Sequence, residues 1–245
     1  MTEGPNVLLY EMTRREVREA IDDGRLRAAV VPTGSTEQHN EHLHMIHDTA
    51  SALYVAEAAA RRHYPAVVVT TPLAIGVSEH WMDHKGTLTT RVEVFQELLY
   101  DVCDSLRRHG LRRILVLNGH AGNIAPVRAR LEEFRQRLEG VDLRFHSYWE
   151  AYDREFVESV LDSKNCPGHA SEFETSFALA AFPHRVRWEG VDYESARLTI
   201  SRPDRAEQDR NFHYEARLAT AEKGRRMIER AVDWVADVLA EMLRR

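Results

Sequence analysis

The sequence has few cysteines, no long apolar run and no excess of positive charge. Each of these features excludes a class of proteins. Only two cysteines occur in 245 residues, too few for a disulfide framework, so we expect a cytoplasmic protein. The 39 acidic residues outnumber the 33 basic ones, which argues against a nucleic-acid partner. No apolar run is long enough to span a bilayer, and the first residues lack the pattern of a signal peptide. We therefore expect no membrane partner.

Apolar runs alternate with helical patterns along the chain. The runs predict strands, the first three of them continuously apolar, at about residues 27–33, 66–70, 114–117 and 143–149. Helical spacing of apolar residues predicts helices at about 14–23, 50–63, 91–109, 124–138, 171–181 and 214–243. This order predicts a three-layer α/β/α fold with a mainly parallel central sheet, in a single domain that spans residues 1–245.

Four local features carry further expectations. Thr13 and Glu16 have the spacing of a capping box. Asn123 is placed to cap the helix that follows it, and Gly224 is expected to weaken the C-terminal helix. The charged, irregular stretch 189–212 predicts an exposed excursion rather than a second domain.

The densest polar cluster follows the first predicted strand. Four histidines and three carboxylates lie within twelve residues: Glu37, His39, Glu41, His42, His44, His47 and Asp48. If the chain is still extended at Glu37 and His39, their side chains point the same way and can meet one metal or two neighbouring metals. His120 follows the third strand, and sites in such sheets form at the carboxyl ends of the strands. Mixed carboxylate and imidazole ligands indicate zinc, manganese or iron rather than calcium.

Several motifs, in this order along the chain, resemble those of the creatininase (creatinine amidohydrolase) family. The first is Pro32-x-Gly34-Ser35-x-Glu37-Gln38-His39, with Asp48 at the expected distance. The second is Asn118-Gly119-His120-Ala121-Gly122-Asn123, and the third is His169-Ala170-Ser171-Glu172-x-Glu174-Thr175-Ser176. A weaker region lies between them: Gly76-x-Ser78-Glu79-His80 and Gly86-Thr87. The resemblance covers most of the chain and implies the family's α/β/α fold.

The resemblance implies a centre of two divalent metal ions, zinc or manganese, with iron as a further option. Four residues stand at ligand positions, the third of them able to bridge both ions: Glu37, His39, Asp48 and His120. Creatininase itself has a glutamate two residues after the second-motif histidine, where this chain has Gly122. Glu172 is therefore expected to be the fifth ligand, with Glu174 as the alternative. His169 stands at the position that handles protons near the substrate.

The first motif departs from the family pattern after His39. The family commonly has Gly-Pro-His-Leu-Pro there, whereas this chain has Asn40-Glu41-His42-Leu43-His44. The added polar groups suit a substrate that is rich in hydroxyls or negatively charged. The expected substrate contacts come from the polar loops and from one aromatic residue near a strand end: Ser78, His80, His84, His42 and Trp149. Packing in the core is the alternative for Trp149.

The resemblance implies a metal-dependent hydrolase in which a metal-bridging hydroxide attacks a carbonyl of a small cyclic amide or related ring. A second hypothesis is hydrolysis of a carbon–carbon bond in a cyclic diketone of inositol catabolism, as by a 3-dehydro-scyllo-inosose hydrolase. A third, of another class, is a metal-dependent binding protein without activity, against which the presence of His169 argues. The resemblance also implies a small-molecule partner and a homo-oligomer, with a hexamer as one option.

Overall fold

The computed structural model describes residues 4–189 and 214–244. Within these ranges the strands are β1 (Ala28–Thr33), β2 (Val67–Val69), β3 (Arg113–Asn118) and β4 (Asp142–Ser147). The α-helices are α1 (Arg14–Asp22), α2 (His47–Arg61), α3 (Val92–Arg108), α4 (Ile124–Arg137), α5 (Arg154–Val160), α6 (Glu172–Ala181) and α7 (Ala221–Arg244). No helix in the described part of the chain has both the length and the apolar character needed to cross a bilayer. The predicted excursion at 189–212 lies outside the described residues except for Glu189.

The strands form one parallel sheet in the order β2-β1-β3-β4. In β1, Ala28 pairs with Val67 on one side and with Arg113 on the other. All six residues of β1 are buried, as their continuously apolar sequence predicts for a strand covered on both faces. Because the strands are parallel, the loops that leave β1, β3 and β4 all begin at the same edge of the sheet.

Alternate side chains of the strands enter two separate apolar clusters. Ala28 and Val30 face the cluster formed with α2, α6 and α7, whereas Ala29 and Val31 face the cluster formed with α1, α3 and α4. Successive residues of a strand point to opposite faces of the sheet, so helices cover the sheet on both sides. The predicted three-layer α/β/α fold with a parallel central sheet is confirmed.

The helix boundaries follow local chemistry. The predicted capping box is present at α1, where Thr13 Oγ1 accepts from the Glu16 N–H at 3.3 Å and the Glu16 carboxylate accepts from the Thr13 N–H at 2.7 Å. Helix α2 begins at His47 rather than at residue 50, so the polar loop after β1 runs directly into it. Helix α7 begins at Ala221 rather than at residue 214, because a 3-10 turn at Ala216–Leu218 precedes it.

Gly224 lies where α6 and α7 approach closely. A Cβ at this position would lie 1.9 Å from the carbonyl oxygen of Ser176 and 2.8 Å from the Cβ of Ala180. Helix α7 runs through Gly224 without a break, and Ser176 Oγ accepts a hydrogen bond from the nearby Thr220 N–H at 3.2 Å. The helix is therefore not interrupted at Gly224, and the missing side chain is what allows the two helices to pack.

We predict that Gly224→Ala destabilises the protein, although alanine is the better helix former. The new methyl group meets the Ser176 carbonyl. Overpacking costs about 1–3 kcal/mol, and a contact this short with a backbone carbonyl is expected to exceed the roughly 1 kcal/mol gained in helix propensity. Urea and thermal unfolding measure the change, with Arg225→Ala at the neighbouring exposed position as the matched control. A midpoint for Gly224→Ala at or above that of the wild type would contradict the close approach.

Candidate metal centre and active site

Three segments bring polar side chains together at the carboxyl ends of the strands. Glu37 and His39 follow β1, Asp48 lies in the first turn of α2, and His120 follows β3. All four residues are at most 3% exposed. Burial of so many ionisable groups is costly unless they pair with one another or hold a cation.

The carboxylate of Asp48 divides this cluster into two halves. Its Oδ1 lies 2.9 Å from Nε2 of His39, and its Oδ2 lies 3.0 Å from Nδ1 of His120. Glu174 joins the first half, with its Oε2 3.6 Å from Nε2 of His39. Glu37 joins the second half, with its Oε1 3.5 Å from Nδ1 of His120. Each half therefore offers one imidazole and one further carboxylate beside one oxygen of Asp48.

The outer nitrogens of both imidazoles are bonded to backbone carbonyls. Nδ1 of His39 lies 3.0 Å from the carbonyl oxygen of Glu37, and Nε2 of His120 lies 3.0 Å from that of Val77. A carbonyl oxygen only accepts, so in the neutral rings these outer nitrogens carry the protons. The inner nitrogens then present lone pairs to the oxygens of Asp48. Lone pairs that face carboxylate oxygens in a buried site fit a divalent cation between them.

The negative charge of the cluster outweighs the effect of burial on the imidazoles. Burial lowers the pKa of His39, but Asp48 and Glu174 raise it to about 10. Burial also lowers the pKa of His120, and Glu37 with Asp48 raises it to about 9. Burial raises the pKa of Glu174 to about 8. The site therefore favours positive charge, which a divalent cation supplies without protonating the rings.

Glu172 and Glu174 have different partners, although both lie in the first turn of α6. The oxygens of Glu172 accept hydrogen bonds from the N–H groups of Asp162 at 3.1 Å and Ser163 at 2.8 Å, and from the ammonium group of Lys223. The expectation that Glu172 is the fifth ligand is therefore corrected. Glu172 is already neutralised by Lys223, and the structure places Glu174 in the cluster instead.

Gly122 explains why the second motif carries no carboxylate. A Cβ at this position would lie 2.3 Å from the carbonyl oxygen of Val77 and 2.4 Å from Nε2 of His120. Any side chain would thus displace the hydrogen bond between these two groups. The carboxylate that this loop lacks is offered from α6 by Glu174.

His169 is held at the edge of the cluster between two rings. Its ring centroid lies 4.6 Å from that of Trp81 and 4.5 Å from that of His39. Its Nδ1 is 3.5 Å from Oε1 of Glu37, and its Nε2 is 2.9 Å from the side-chain nitrogen of Gln38. Burial, and secondarily the nearby His39, lowers the pKa of His169 well below its ordinary value, so the ring is neutral. The sequence did not predict the contact between Gln38 and His169. The position of Gln38 next to His39 was the only sequence feature that pointed to a role in the site.

Three of the expected substrate contacts lie near the cluster. The ring of His80 is nearly parallel to that of His120, with the centroids 5.8 Å apart. His84 meets Trp81 edge-on, with the centroids 5.5 Å apart. Ser78 is fully buried, and its hydroxyl lies 3.3 Å from Nε2 of His120. In this arrangement Ser78 supports His120, whereas His80 and His84 are only half-buried and lie nearer the surface.

The other two expected contacts, His42 and Trp149, stay predictions, and both side chains have packing partners within the protein. His42 is buried, its Nε2 lies 2.8 Å from Oγ1 of Thr175, and its ring stacks on Trp188 at 5.0 Å. It therefore joins the loop after β1 to α6. Trp149 meets Tyr148 edge-on at 5.1 Å within the apolar cluster of α2, α6 and α7. For Trp149 the alternative of core packing is the one observed.

Asn123 joins two loops of the site rather than capping α4. Its side-chain nitrogen donates to the carbonyl oxygen of Gly34 at 3.0 Å, and its Oδ1 accepts from the N–H of Val77 at 3.0 Å. Its side chain makes no capping bond to α4. The predicted cap is wrong because the side chain instead ties together the loops that follow β1 and β2.

A parallel sheet covered on both faces, with buried carboxylates and imidazoles at the carboxyl ends of its strands, is the architecture of an α/β enzyme. Residues 10–239 match the profile of the family described as Creatininase: Creatinine amidohydrolase. The chain therefore belongs to the creatininase family of hydrolases.

Three relatives of known activity show the range of this family. The mycofactocin precursor peptide peptidase of Mycobacterium ulcerans (strain Agy99) is 30% identical over 164 residues, covering 64% of this chain and 59% of that protein. The 3-dehydro-scyllo-inosose hydrolase of Thermotoga maritima is 27% identical over 193 residues, covering 77% and 60%. The creatinine amidohydrolase of Pseudomonas putida is 25% identical over 256 residues, covering 96% and 97%. This chain thus spans about three fifths of the first two relatives.

Solved creatininase structures share the fold. A crystal structure of creatinine amidohydrolase (creatininase) aligns with a TM-score of 0.79 at 24% identity, covering 97% of this chain and 98% of that one. A manganese form and a mutant Zn–Zn form of creatininase each align with a TM-score of 0.77 at the same identity and coverage. At this identity the likeness establishes the common fold.

We predict that Glu174→Gln lowers the metal content of the protein, whereas Glu172→Gln leaves it unchanged. The reason is that Glu174 lies in the cluster and Glu172 is bound to Lys223. Mass spectrometry of the elements in tag-free protein, dialysed against zinc and then desalted, measures the ions per chain. The two variants control for each other, because they make the same change in one helical turn. Loss of metal from the Glu172 variant alone, in protein that remains folded by circular dichroism, would contradict the assignment.

Proposed function

We propose that the chain is a divalent-metal-dependent hydrolase with two ligand sets that share Asp48. His39 and Glu174 would complete one set, and His120 and Glu37 the other. The observation that carries the proposal is the pair of inner imidazole nitrogens at 2.9 and 3.0 Å from the two oxygens of one buried carboxylate. Zinc or manganese is the proposed ion, with iron as a further option, and the Zn–Zn and manganese forms of creatininase support this choice.

The protein groups around the centre would position the reacting molecule. When bound, the ions supply a water of lowered pKa and positive charge for a developing oxyanion. His169 presents a neutral ring 3.5 Å from the carboxylate of Glu37. Trp81 is 3% exposed and stacks on that ring, so it covers one face of His169. A neutral imidazole beside the centre is suited to act on the reacting carbonyl or on the leaving atom.

We propose a small cyclic amide or a related ring carbonyl compound as the substrate. The creatinine amidohydrolase of Pseudomonas putida matches nearly the whole chain, which supports this class. His80 and His84 offer polar edges for a small ring close to the cluster. The polar segment 40–44, where the family commonly has glycine and prolines, argues against creatinine itself.

Hydrolysis of a carbon–carbon bond in a cyclic diketone is the second candidate. The inosose hydrolase of Thermotoga maritima matches 77% of this chain. The half-buried imidazoles of His44, His80 and His84 suit a ring that is rich in hydroxyl groups. A non-catalytic binding protein is the third candidate, and the presence of His169 beside the cluster argues against it because metal binding alone does not require that ring.

A substrate panel tests these proposals. We predict that protein loaded with zinc or manganese hydrolyses members of a set of lactams and cyclic ureides, measured by release of the opened product. Formamides, short peptides and inosose-type ketones complete the panel, and Asp48→Asn is the inactive control because Asp48 serves both ligand sets. Turnover of the ketones alone would select the second candidate. A folded, metal-loaded protein that acts on none of these compounds would contradict the enzymatic proposal.

We predict that His169→Ala retains its metal but loses turnover. His169 touches the cluster only through Glu37 and the ring of His39, so its removal leaves the two ligand sets intact. Loss of one hydrogen-bonding or proton-transfer group lowers kcat by about 10²-fold or more. Steady-state kinetics and metal analysis on the same sample measure both effects. Wild-type kcat in this variant would remove His169 from the proposed mechanism.

A further inference from the structure

His169 stands close enough to the cluster to be either a metal ligand or a hydrogen-bond donor. Ligand atoms of Glu37, His39 and His169 lie within 4.8 Å of one another. A neutral imidazole has one protonated nitrogen and one lone pair. The nitrogen that carries the proton therefore decides which role is open to the ring.

The side-chain amide of Gln38 is held in one orientation by the backbone. Its Oε1 lies 2.9 Å from the backbone nitrogen of Asn40, whose N–H can only donate. The amide nitrogen is thereby turned toward His169. The backbone of Gln38 is held as well, because its N–H donates to Oγ1 of Thr87 at 3.1 Å. The side chain is 6% exposed, so solvent offers little competition for these bonds.

This orientation determines the tautomer of His169. The amide nitrogen of Gln38 lies 2.9 Å from Nε2 of His169. An amide nitrogen donates and does not accept, so Nε2 of His169 must be the acceptor. The proton of the neutral ring is then on Nδ1, which lies 3.5 Å from Oε1 of Glu37. Nε2 of His169 accepts the hydrogen bond of Gln38, and Nδ1 carries the proton. Neither nitrogen therefore has a lone pair available for a metal ion.

We propose that Gln38 is a positioning residue that fixes His169 as a neutral Nδ1–H hydrogen-bond donor beside the metal centre. The inference rests on the proposed function, and it changes the role expected of His169. With Nε2 accepting from the Gln38 amide, the proton of the ring is on Nδ1, so the nitrogen that faces Glu37 is a hydrogen-bond donor. His169 donates a hydrogen bond from Nδ1, either to the carboxylate of Glu37 or to an oxygen of the substrate on which negative charge develops.

Nitrogen-15 NMR of zinc-loaded, histidine-labelled protein tests the tautomer directly, because protonated and unprotonated imidazole nitrogens have distinct chemical shifts. The signals of His169 are those missing from the His169→Ala spectrum. We expect a protonated Nδ1 and an unprotonated Nε2. In Gln38→Glu the carboxylate keeps the bond to Asn40 but presents an acceptor to His169, so Nε2 should become protonated. A protonated Nε2 in the wild-type protein would overturn the proposal.

Turnover provides a second readout, measured with the best substrate of the panel. Gln38→Glu should lower kcat by about 10²-fold at unchanged metal content. Gln136→Glu makes the same chemical change on an exposed position of α4 and should behave like the wild type. Gln38→Met keeps the length of the side chain without its amide, and serves if the carboxylate impairs folding. Wild-type kcat and an unchanged tautomer in a folded Gln38 variant would overturn the positioning role.

Variants of His169 separate a hydrogen-bond donor from a proton carrier. Asparagine at this position keeps an N–H near the place of Nδ1 but cannot exchange a proton. If His169 acts as a donor, His169→Asn should retain about tenfold more activity than His169→Ala. Equal loss in both variants would contradict the donor role. If even the wild-type protein acts on no substrate, the tautomer measurement still decides the inference, so its failure and that of the proposed function are distinguishable.

Discussion

The buried carboxylate of Asp48 is the group on which the arrangement of the site depends. Burial disfavours its charge, yet His39 and His120 hold the pKa of the carboxyl well below its ordinary value. Asp48 lies in the first turn of α2, where the helix dipole also favours an anion. For both imidazoles to reach it, the loops after β1 and β3 must leave the sheet side by side. The pairing of Thr33 with Asn118 at the ends of these parallel strands provides that spacing.

Much of the fold, and part of the site, could be predicted from the sequence, because both follow from local patterns. Continuous apolar runs identify the strands, and topology then brings the residues that follow β1 and β3 to one edge of the sheet. The choice between Glu172 and Glu174 is different in kind. Both are acidic residues in one helical turn, and what separates them is Lys223, which comes from a helix 51 residues further along the chain. A local sequence pattern cannot predict a contact between residues so far apart in the chain.

The departures from the family motif have physical explanations in the structure. Asn40, where the family commonly has glycine, adopts a φ of 55°, a left-handed conformation that asparagine tolerates better than most residues. The backbone there can thus still offer its N–H to Gln38. His42 matches the histidine of the family pattern, and it is buried between α6 and Trp188. The polarity of this segment is therefore partly structural.

The bond between Glu172 and Lys223 has a consequence for the order in which the site can form during synthesis. Glu172 holds the N–H groups of Asp162 and Ser163, just before the segment that carries His169, and its charge is neutralised from the last helix. In a chain that lacks α7, Glu172 has neither its ammonium partner nor the helix that packs against α6. The segment that carries His169 is thus coupled to α7, although every residue proposed to hold an ion lies before that helix.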